Sequence, residues 1–200
     1  MLSGLRRAGD DPGTTLIELM VAMTIMSIVM VVFTTGVLSI YRSMNKNESL
    51  AVAQSQLNNA FVRLDKEIRY ATDISVEGTV GADQYVEFLT TNTGTSTCTG
   101  LRLHVATKQL QRRTWTRGVT PSASSWLPLA TGVSSTDAFT TTPATATYSW
   151  RQLTLALSAT SGAGQSATTR QSMTSFTAQN STLDSYTPAS DTICSEGRVP

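Results

Sequence analysis

Residues 14–41 read TTLIELMVAMTIMSIVMVVFTTGVLSIY, and Glu18 is the only charged residue among them. A helix needs roughly 20 apolar residues to cross the hydrocarbon core of a bilayer, so this stretch is long enough. It is too long for the apolar core of a secretory signal peptide, and no A-x-A cleavage site follows it. The sequence therefore predicts a membrane-spanning helix, and this helix decides how the rest of the chain is arranged.

The basic residues on the two sides of the stretch indicate its orientation. Arg6 and Arg7 precede it, and no Lys or Arg follows until Arg42 and Lys46. Because cytoplasmic flanks are enriched in Lys and Arg, the pattern leans toward a cytoplasmic N-terminus. We therefore expect the larger C-terminal part to be extracytoplasmic.

Glu18 is unusual, because a carboxylate in a membrane helix costs several kcal/mol unless it lies near the interface or is paired. It falls near the expected start of the helix, where the helix dipole favours negative charge. Two interpretations stay open on periodicity alone. Glu18 is either an interfacial residue that reaches the headgroups or a carboxylate that awaits a cationic partner.

The residues Gly13-Thr14-Thr15-Leu16-Ile17-Glu18-Leu19 resemble the prepilin cleavage motif of the type IV pilin and type II secretion pseudopilin family. The shared features are a short hydrophilic leader, a Gly at its end, a Glu at the fifth position after it and an uninterrupted apolar helix. The resemblance implies that a prepilin peptidase cuts between Gly13 and Thr14 and methylates the new amine of Thr14. Thr14 stands where the family usually carries Phe or Met.

The same resemblance implies a division of the chain and a set of partners. Residues 1–13 are the expected leader, and 14–41 are the helix that packs subunits into a filament. Glu18 is the expected register residue, pairing with the Thr14 amine of a neighbouring subunit. The expected partners are other pilin or pseudopilin subunits, the prepilin peptidase and an inner-membrane assembly platform. The precursor would wait in the cytoplasmic membrane as a single-pass protein before it enters a pilus or pseudopilus.

Residues 42–74 carry the pattern of an amphipathic helix that continues the apolar one. Their apolar positions repeat at helical spacing: Leu50, Leu57, Phe61, Leu64, Ile68 and Ala71. This half is therefore expected to pack on a sheet. Thr34, Thr35 and Gly36 are poor helix formers between the two halves, and the resemblance implies some local melting there.

Residues 75–200 are predicted to form a β-rich domain, which makes the fold class α+β with a long helix on an antiparallel sheet. Alternating or apolar runs predict strands at 85–90, 101–105, 110–117, 150–157 and 171–179. Stretches rich in Ser, Thr, Gly and Pro predict loops at 90–99, 120–147 and 158–169. This helix-then-strands order is similar to the larger minor pseudopilins of the J or W type.

Cys98 and Cys194 are the two cysteines, and their spacing matches neither a zinc knuckle nor a CxxC redox site. In an exported domain two cysteines form a disulfide by default. Two unpaired thiols are the alternative.

A stretch without Asp or Glu, from Phe88 to Thr136, suggests an alternative function. It concentrates cations around one aromatic residue: Arg102, Lys108, Arg112, Arg113, Trp115 and Arg117. Such a stretch can bind nucleic acid through phosphates and base stacking, as a DNA- or surface-binding tip subunit would. The competing interpretation is a solvated strand, or a contact with an acidic neighbouring subunit.

Composition and motifs favour a structural protein over an enzyme. Formal net charge is +1, only 14% of residues are charged, and Ser and Thr make up 56 residues. No nucleophile elbow, zinc-protease, P-loop or dinucleotide motif occurs. His104 is the only histidine and has no Cys, Asp or Glu at ligand spacing. We therefore expect no catalytic residues, no metal and no cofactor.

Overall fold

The computed structural model describes residues 14–92, 94–122, 125–145, 149–161, 168–181 and 193–198. The chain divides into two compact units, Met1–Asn45 and Lys46–Pro200.

One helix, α1 (Leu16–Arg69), runs through both units. Within the second unit it buries one face, which contains Leu50, Ala53, Leu57, Ala60, Phe61, Leu64 and Ile68. These positions repeat at three- and four-residue intervals, the spacing that places side chains on one side of a helix. The predicted amphipathic half and its apolar face are confirmed.

The end of α1 differs from the expected boundary at Ile74. The helix stops at Arg69, and Asp73–Ile74 forms a strand instead. The Thr72 backbone N–H and hydroxyl both donate to the Leu89 carbonyl, at 2.8 and 3.1 Å. Since these bonds bring the backbone alongside a strand, the segment after Arg69 gains sheet partners in place of helical ones. At Thr34, Thr35 and Gly36, the expected weak point, α1 is continuous.

Two antiparallel sheets complete the second unit. The first has the strand order β1-β3-β4-β5-β6, with β2 also paired to β3. Its strands are β1 (Asp73–Ile74), β2 (Gly78–Val80), β3 (Asp83–Asn92), β4 (Thr95–His104), β5 (Gln109–Thr116) and β6 (Leu127–Thr131). The second has the order β10-β9-β7, with β8 also paired to β9. Its strands are β7 (Val133–Ser134), β8 (Phe139–Thr142), β9 (Arg151–Ser161) and β10 (Thr168–Ala178).

The main core lies where α1 meets one face of both sheets. Leu57, Leu64 and Ile68 of the helix are fully buried there beside Val86, Leu101 and Leu155 of the strands. Phe61 and Phe176 meet edge to face, with 6.1 Å between ring centroids. The α+β fold class expected from the sequence is therefore confirmed, with two sheets instead of one.

All three predicted loops contain strand residues. The stretch 90–99 is largely the β3–β4 hairpin, 120–147 contains β6, β7 and β8, and 158–169 includes the ends of β9 and β10. The loop predictions were wrong there because Thr favours strands through its branched Cβ. Thr hydroxyls also pair across strands, as Thr160 and Thr169 do at 3.0 Å.

Candidate functional site

The N-terminal half of α1 exposes apolar side chains on every side. Between Thr14 and Ser49 every residue is exposed except Val37 and Lys46, which are half-buried. A solvated protein rarely shows apolar surface of this extent without a partner. The helix is therefore a candidate membrane anchor or signal sequence by its length and composition.

Glu18 lies in the first turn of this helix. The Thr15 hydroxyl accepts a hydrogen bond from the Glu18 backbone N–H at 3.4 Å, so Thr15 caps the helix. Thr15 and Glu18 stand three residues apart, the spacing of a capping box, which gives Glu18 a local position that the sequence interpretation missed. Thr14 is exposed, while Gly13, the other predicted processing residue, lies outside the described residues.

Three hydroxyl groups within the apolar half of α1 form hydrogen bonds with the backbone of the same helix. Thr24, Ser27 and Thr35 each donate to the carbonyl four residues earlier, at 2.7 to 2.8 Å. Polar groups that form bonds within their own helix can enter an apolar environment without an unsatisfied donor. The helix can therefore be buried in a bilayer or against other helices without leaving these three hydroxyl donors unsatisfied.

The far end of the chain is fastened to the first sheet by a disulfide. Cys98 on β4 is bonded to Cys194, with 5.8 Å between their Cα atoms. Of the two alternatives left open for these cysteines, the structure has the disulfide. Cys98, Cys194 and Glu196 are the described residues close enough together to hold a metal. Because both sulfurs are used in the disulfide, they offer no thiolate ligand.

Glu196 reinforces this attachment. Its carboxylate accepts hydrogen bonds from the Trp115 indole N–H at 3.1 Å and from the Gly118 backbone N–H at 3.0 Å. Burial opposes ionisation of Glu196, but these bonds outweigh it and hold the pKa of the carboxyl below its usual value. Gly197 packs so closely on Trp115 that an added Cβ would lie 2.3 Å from the indole ring.

Arg198 forms the last described contact of the C-terminal segment. It donates to the Glu87 carboxylate, with the shortest separation at 2.8 Å. The Ser75 hydroxyl donates to the same carboxylate at 2.7 Å. Burial nevertheless raises the pKa of the Glu87 carboxyl, because Arg198 and Ser75 only partly offset the loss of water. Asp73 is similar: burial raises its pKa although Arg151 lies at 2.7 Å.

Arg113 and Trp115, predicted to be nucleic-acid contacts, are buried. Arg113 is only 1% exposed. Its guanidinium lies 4.2 Å from the Trp126 ring centroid and donates to the Gly197 and Ser122 carbonyls. Burial lowers the pKa of Arg113. These two side chains therefore hold the C-terminal segment in place, and neither presents a surface to DNA.

Arg102 and Arg112 also bind other side chains of the second unit. Arg102 is buried, donates to the Gln111 side-chain carbonyl at 2.7 and 3.0 Å, and lies over Trp126. Arg112 donates to the Glu67 carboxylate of α1 at 2.8 Å. The sequence interpretation did not single out Trp126. Its ring contacts the guanidinium groups of two buried arginines, Arg102 and Arg113. Its signal was that it is the second tryptophan in the same stretch without acidic residues.

Lys108 and Arg117 are the exposed members of the predicted basic stretch. Lys108 lies in the turn between β4 and β5 with a left-handed φ of 53°, and Arg117 follows β5 at its other end. Two cations at opposite ends of an eight-residue strand make a sparse electrostatic footprint. The basic stretch therefore does not form the continuous patch that the DNA-binding alternative requires.

His104 on β4 is half-buried. Its Nδ1 lies 2.6 Å from the Thr107 hydroxyl, and its Nε2 lies 3.7 Å from the Asp83 carboxylate. These contacts hold the His104 side chain between the β4–β5 turn and Asp83 of β3.

Comparison with known proteins supplies no relative for the chain: no protein-family model matches it, and neither curated proteins nor solved structures show significant similarity.

Proposed function

We propose that this chain is a non-enzymatic structural subunit of a type IV pilus or a type II secretion pseudopilus. It is made as a single-pass precursor in the cytoplasmic membrane, with residues 46–200 extracytoplasmic. A prepilin peptidase removes residues 1–13, and the assembly platform then packs the subunit through its N-terminal helix beside other pilins.

The observation that carries the proposal is the fully exposed apolar half of α1 with one carboxylate in its first turn. A bilayer removes the apolar side chains from water, and so does a bundle of identical helices. The carboxylate fits the bundle better, because there it can meet a cation from a neighbour. The motif Gly13 to Leu19 supplies that cation, since cleavage creates an amine at Thr14.

In the proposed filament the Thr14 amine of one subunit pairs with Glu18 of the next. A buried ion pair adds little net stability, but an unpaired partner is strongly unfavourable, so the pair acts mainly to fix register. The Thr15 cap orients the first turn that carries Glu18.

The proposal is tested by the intact mass of the membrane-extracted protein from cells with and without a prepilin peptidase. We expect a peptidase-dependent loss of Met1 to Gly13, with or without one methyl group on Thr14. The variant Gly13→Val should stay full-length, whereas Gly4→Val, which changes a glycine inside the leader, should be processed. A full-length wild-type chain in both strains would overturn the proposal.

The register role needs its own variant. Glu18→Gln keeps the size of the side chain and removes the charge, so we expect normal processing but loss of the subunit from sheared filaments. Glu48→Gln, a change at an exposed position of the same helix, should leave incorporation intact. Equal incorporation of the two variants would remove Glu18 from the assembly mechanism.

A further inference from the structure

A cleft of about 660 Å³ lies beside the C-terminal end of α1, against the β3–β5 face that carries the main core. Its volume lies within the ~300–1,000 Å³ typical of small-molecule sites. Lys66, Glu67 and Tyr70 form one wall, and the three strands form the floor.

The cleft exists because this sheet face continues beyond the part that the helix covers. Within the covered part, the cross-strand neighbours Val86 and Leu101 are apolar and fully buried. The next row toward the cleft is Phe88, Thr99 and Thr114, and the row after it pairs Thr90 with Thr97. Beside and beyond Phe88, the strand positions that line the cleft are therefore mostly threonines.

Thr99 lies in the floor of the cleft. It is only 3% exposed, and its side chain forms no hydrogen bond with any described residue. Its hydroxyl oxygen still reaches the open space of the cleft, where water or a ligand can form a hydrogen bond with it. Thr97 and Thr114 line the same floor. Each hydroxyl can both donate and accept a hydrogen bond.

The rim of the cleft carries an aromatic ring and an amide. Tyr70 is 65% exposed, and the Asn180 side-chain amide donates to the Tyr70 carbonyl at 3.4 Å. The charges in the cleft are Lys66, Arg112 and Glu67, and the last two form an ion pair at 2.8 Å. Because Glu67 compensates Arg112, the cleft suits a neutral, hydroxyl-rich ligand better than a polyanion.

We propose that this cleft binds a saccharide of one or two rings. The hydroxyls of a sugar match threonine hydroxyls that donate and accept, and the paired Arg112 and Glu67 add a charged donor and a charged acceptor. The C–H face of a sugar ring packs on an aromatic surface such as Tyr70. This binding site is independent of processing and filament assembly.

The test uses the full-length protein in a detergent without a sugar headgroup. A printed glycan array selects a saccharide, and isothermal titration calorimetry then measures its affinity. We expect Tyr70→Ala and Thr99→Val each to weaken binding about tenfold or more, as the loss of roughly 1.4 kcal/mol per contact predicts. Tyr70→Ala changes an exposed side chain, so its result is not confused with unfolding.

Matched changes outside the cleft serve as controls. Tyr41→Ala removes a tyrosine that is 61% exposed, and Thr177→Val removes a hydroxyl on β10. Both should bind the saccharide as the wild type does, with unchanged circular dichroism. Absence of any bound saccharide on the array, or equal affinity in the cleft variants and the controls, would refute the site.

Discussion

Arg113 is a charged residue that is only 1% exposed. Its guanidinium lies against the rings of Trp115 and Trp126 and donates to the carbonyls of Ser122 and Gly197. A guanidinium is tolerated in such a place because its planar face stacks on aromatic rings while its N–H groups reach carbonyls. Its Nε atom is buried without a partner among the described residues, so the enclosure is not complete.

The enclosure of Arg113 leads to a prediction about stability. Arg113→Ala should lower the free energy of unfolding by about 3 kcal/mol or more, because it leaves the buried Gly197 carbonyl without its donor and a space between indole rings. Arg117→Ala removes an exposed arginine four residues away and should change the free energy of unfolding by less than about 0.5 kcal/mol. Urea unfolding followed by tryptophan fluorescence measures both. Similar small effects would mean that Arg113 is not a packing residue.

Glu87 makes stability depend on pH. Its pKa is raised above 4.5 in the folded chain, so the folded state holds the proton more tightly than the unfolded chain does. The protonated Glu87 carboxyl therefore contributes to folding stability at a pH below its pKa in the unfolded chain. This contribution is lost as the pH rises through its pKa in the folded chain. Between about pH 4 and pH 7, Glu87→Gln should reduce the fall in unfolding free energy, whereas Glu48→Gln should not. Identical pH profiles for Glu87→Gln and wild type would contradict this.

At the scale of elements, α1 has two surfaces made for different surroundings. Apart from Glu18 in its first turn and scattered hydroxyls, its N-terminal half is apolar on every side, so it has no preferred face toward water. Its C-terminal half has a narrow apolar face that matches the two sheets. The change of pattern along one helix separates a part that needs external partners from a part that folds onto its own chain.

This contrast can be tested within one turn of α1. Leu64→Ala should destabilise the second unit by about 2–5 kcal/mol, because Leu64 is fully buried in the main core and leaves a cavity. Val62→Ala shortens a side chain that is 60% exposed and should cost less than about 0.5 kcal/mol. Chemical unfolding in detergent compares the two. An equal effect would mean that this face of the helix does not pack on the sheets.

At the scale of the whole molecule, the second unit is closed by contacts between segments far apart in sequence. The disulfide joins residues separated by 96 positions, and Arg198 meets Glu87 across 111. Cys194 and Arg198 both lie on the C-terminal segment 193–198, which also contains Glu196. The disulfide persists in the unfolded chain and restricts it more than the folded one, so it stabilises the fold mainly through entropy.

The disulfide should therefore matter for the second unit as a whole. The double variant Cys98→Ala with Cys194→Ala is expected to lose about 2–5 kcal/mol of stability. A reducing agent should produce a similar loss in the wild type and no further change in the double variant. Thermal unfolding with and without the reductant supplies the comparison. A wild type that is indifferent to reduction would show that the other contacts of segment 193–198 suffice.

The sequence by itself determined the apolar half of α1, the buried face of its second half, the α+β class and several strands, including β3 and β4. These depend on periodicity, which records which side of an element avoids water. For Cys98 and Cys194 the sequence left two alternatives open, a disulfide as the default in an exported domain or two unpaired thiols, and the structure has the disulfide. Only the tertiary structure decided that Arg102, Arg112 and Arg113 turn inward, and that threonine-rich stretches are strands around a cleft. Their partners, such as Glu67 and Trp126, come from distant segments, and alternation along one strand does not reveal what covers each face.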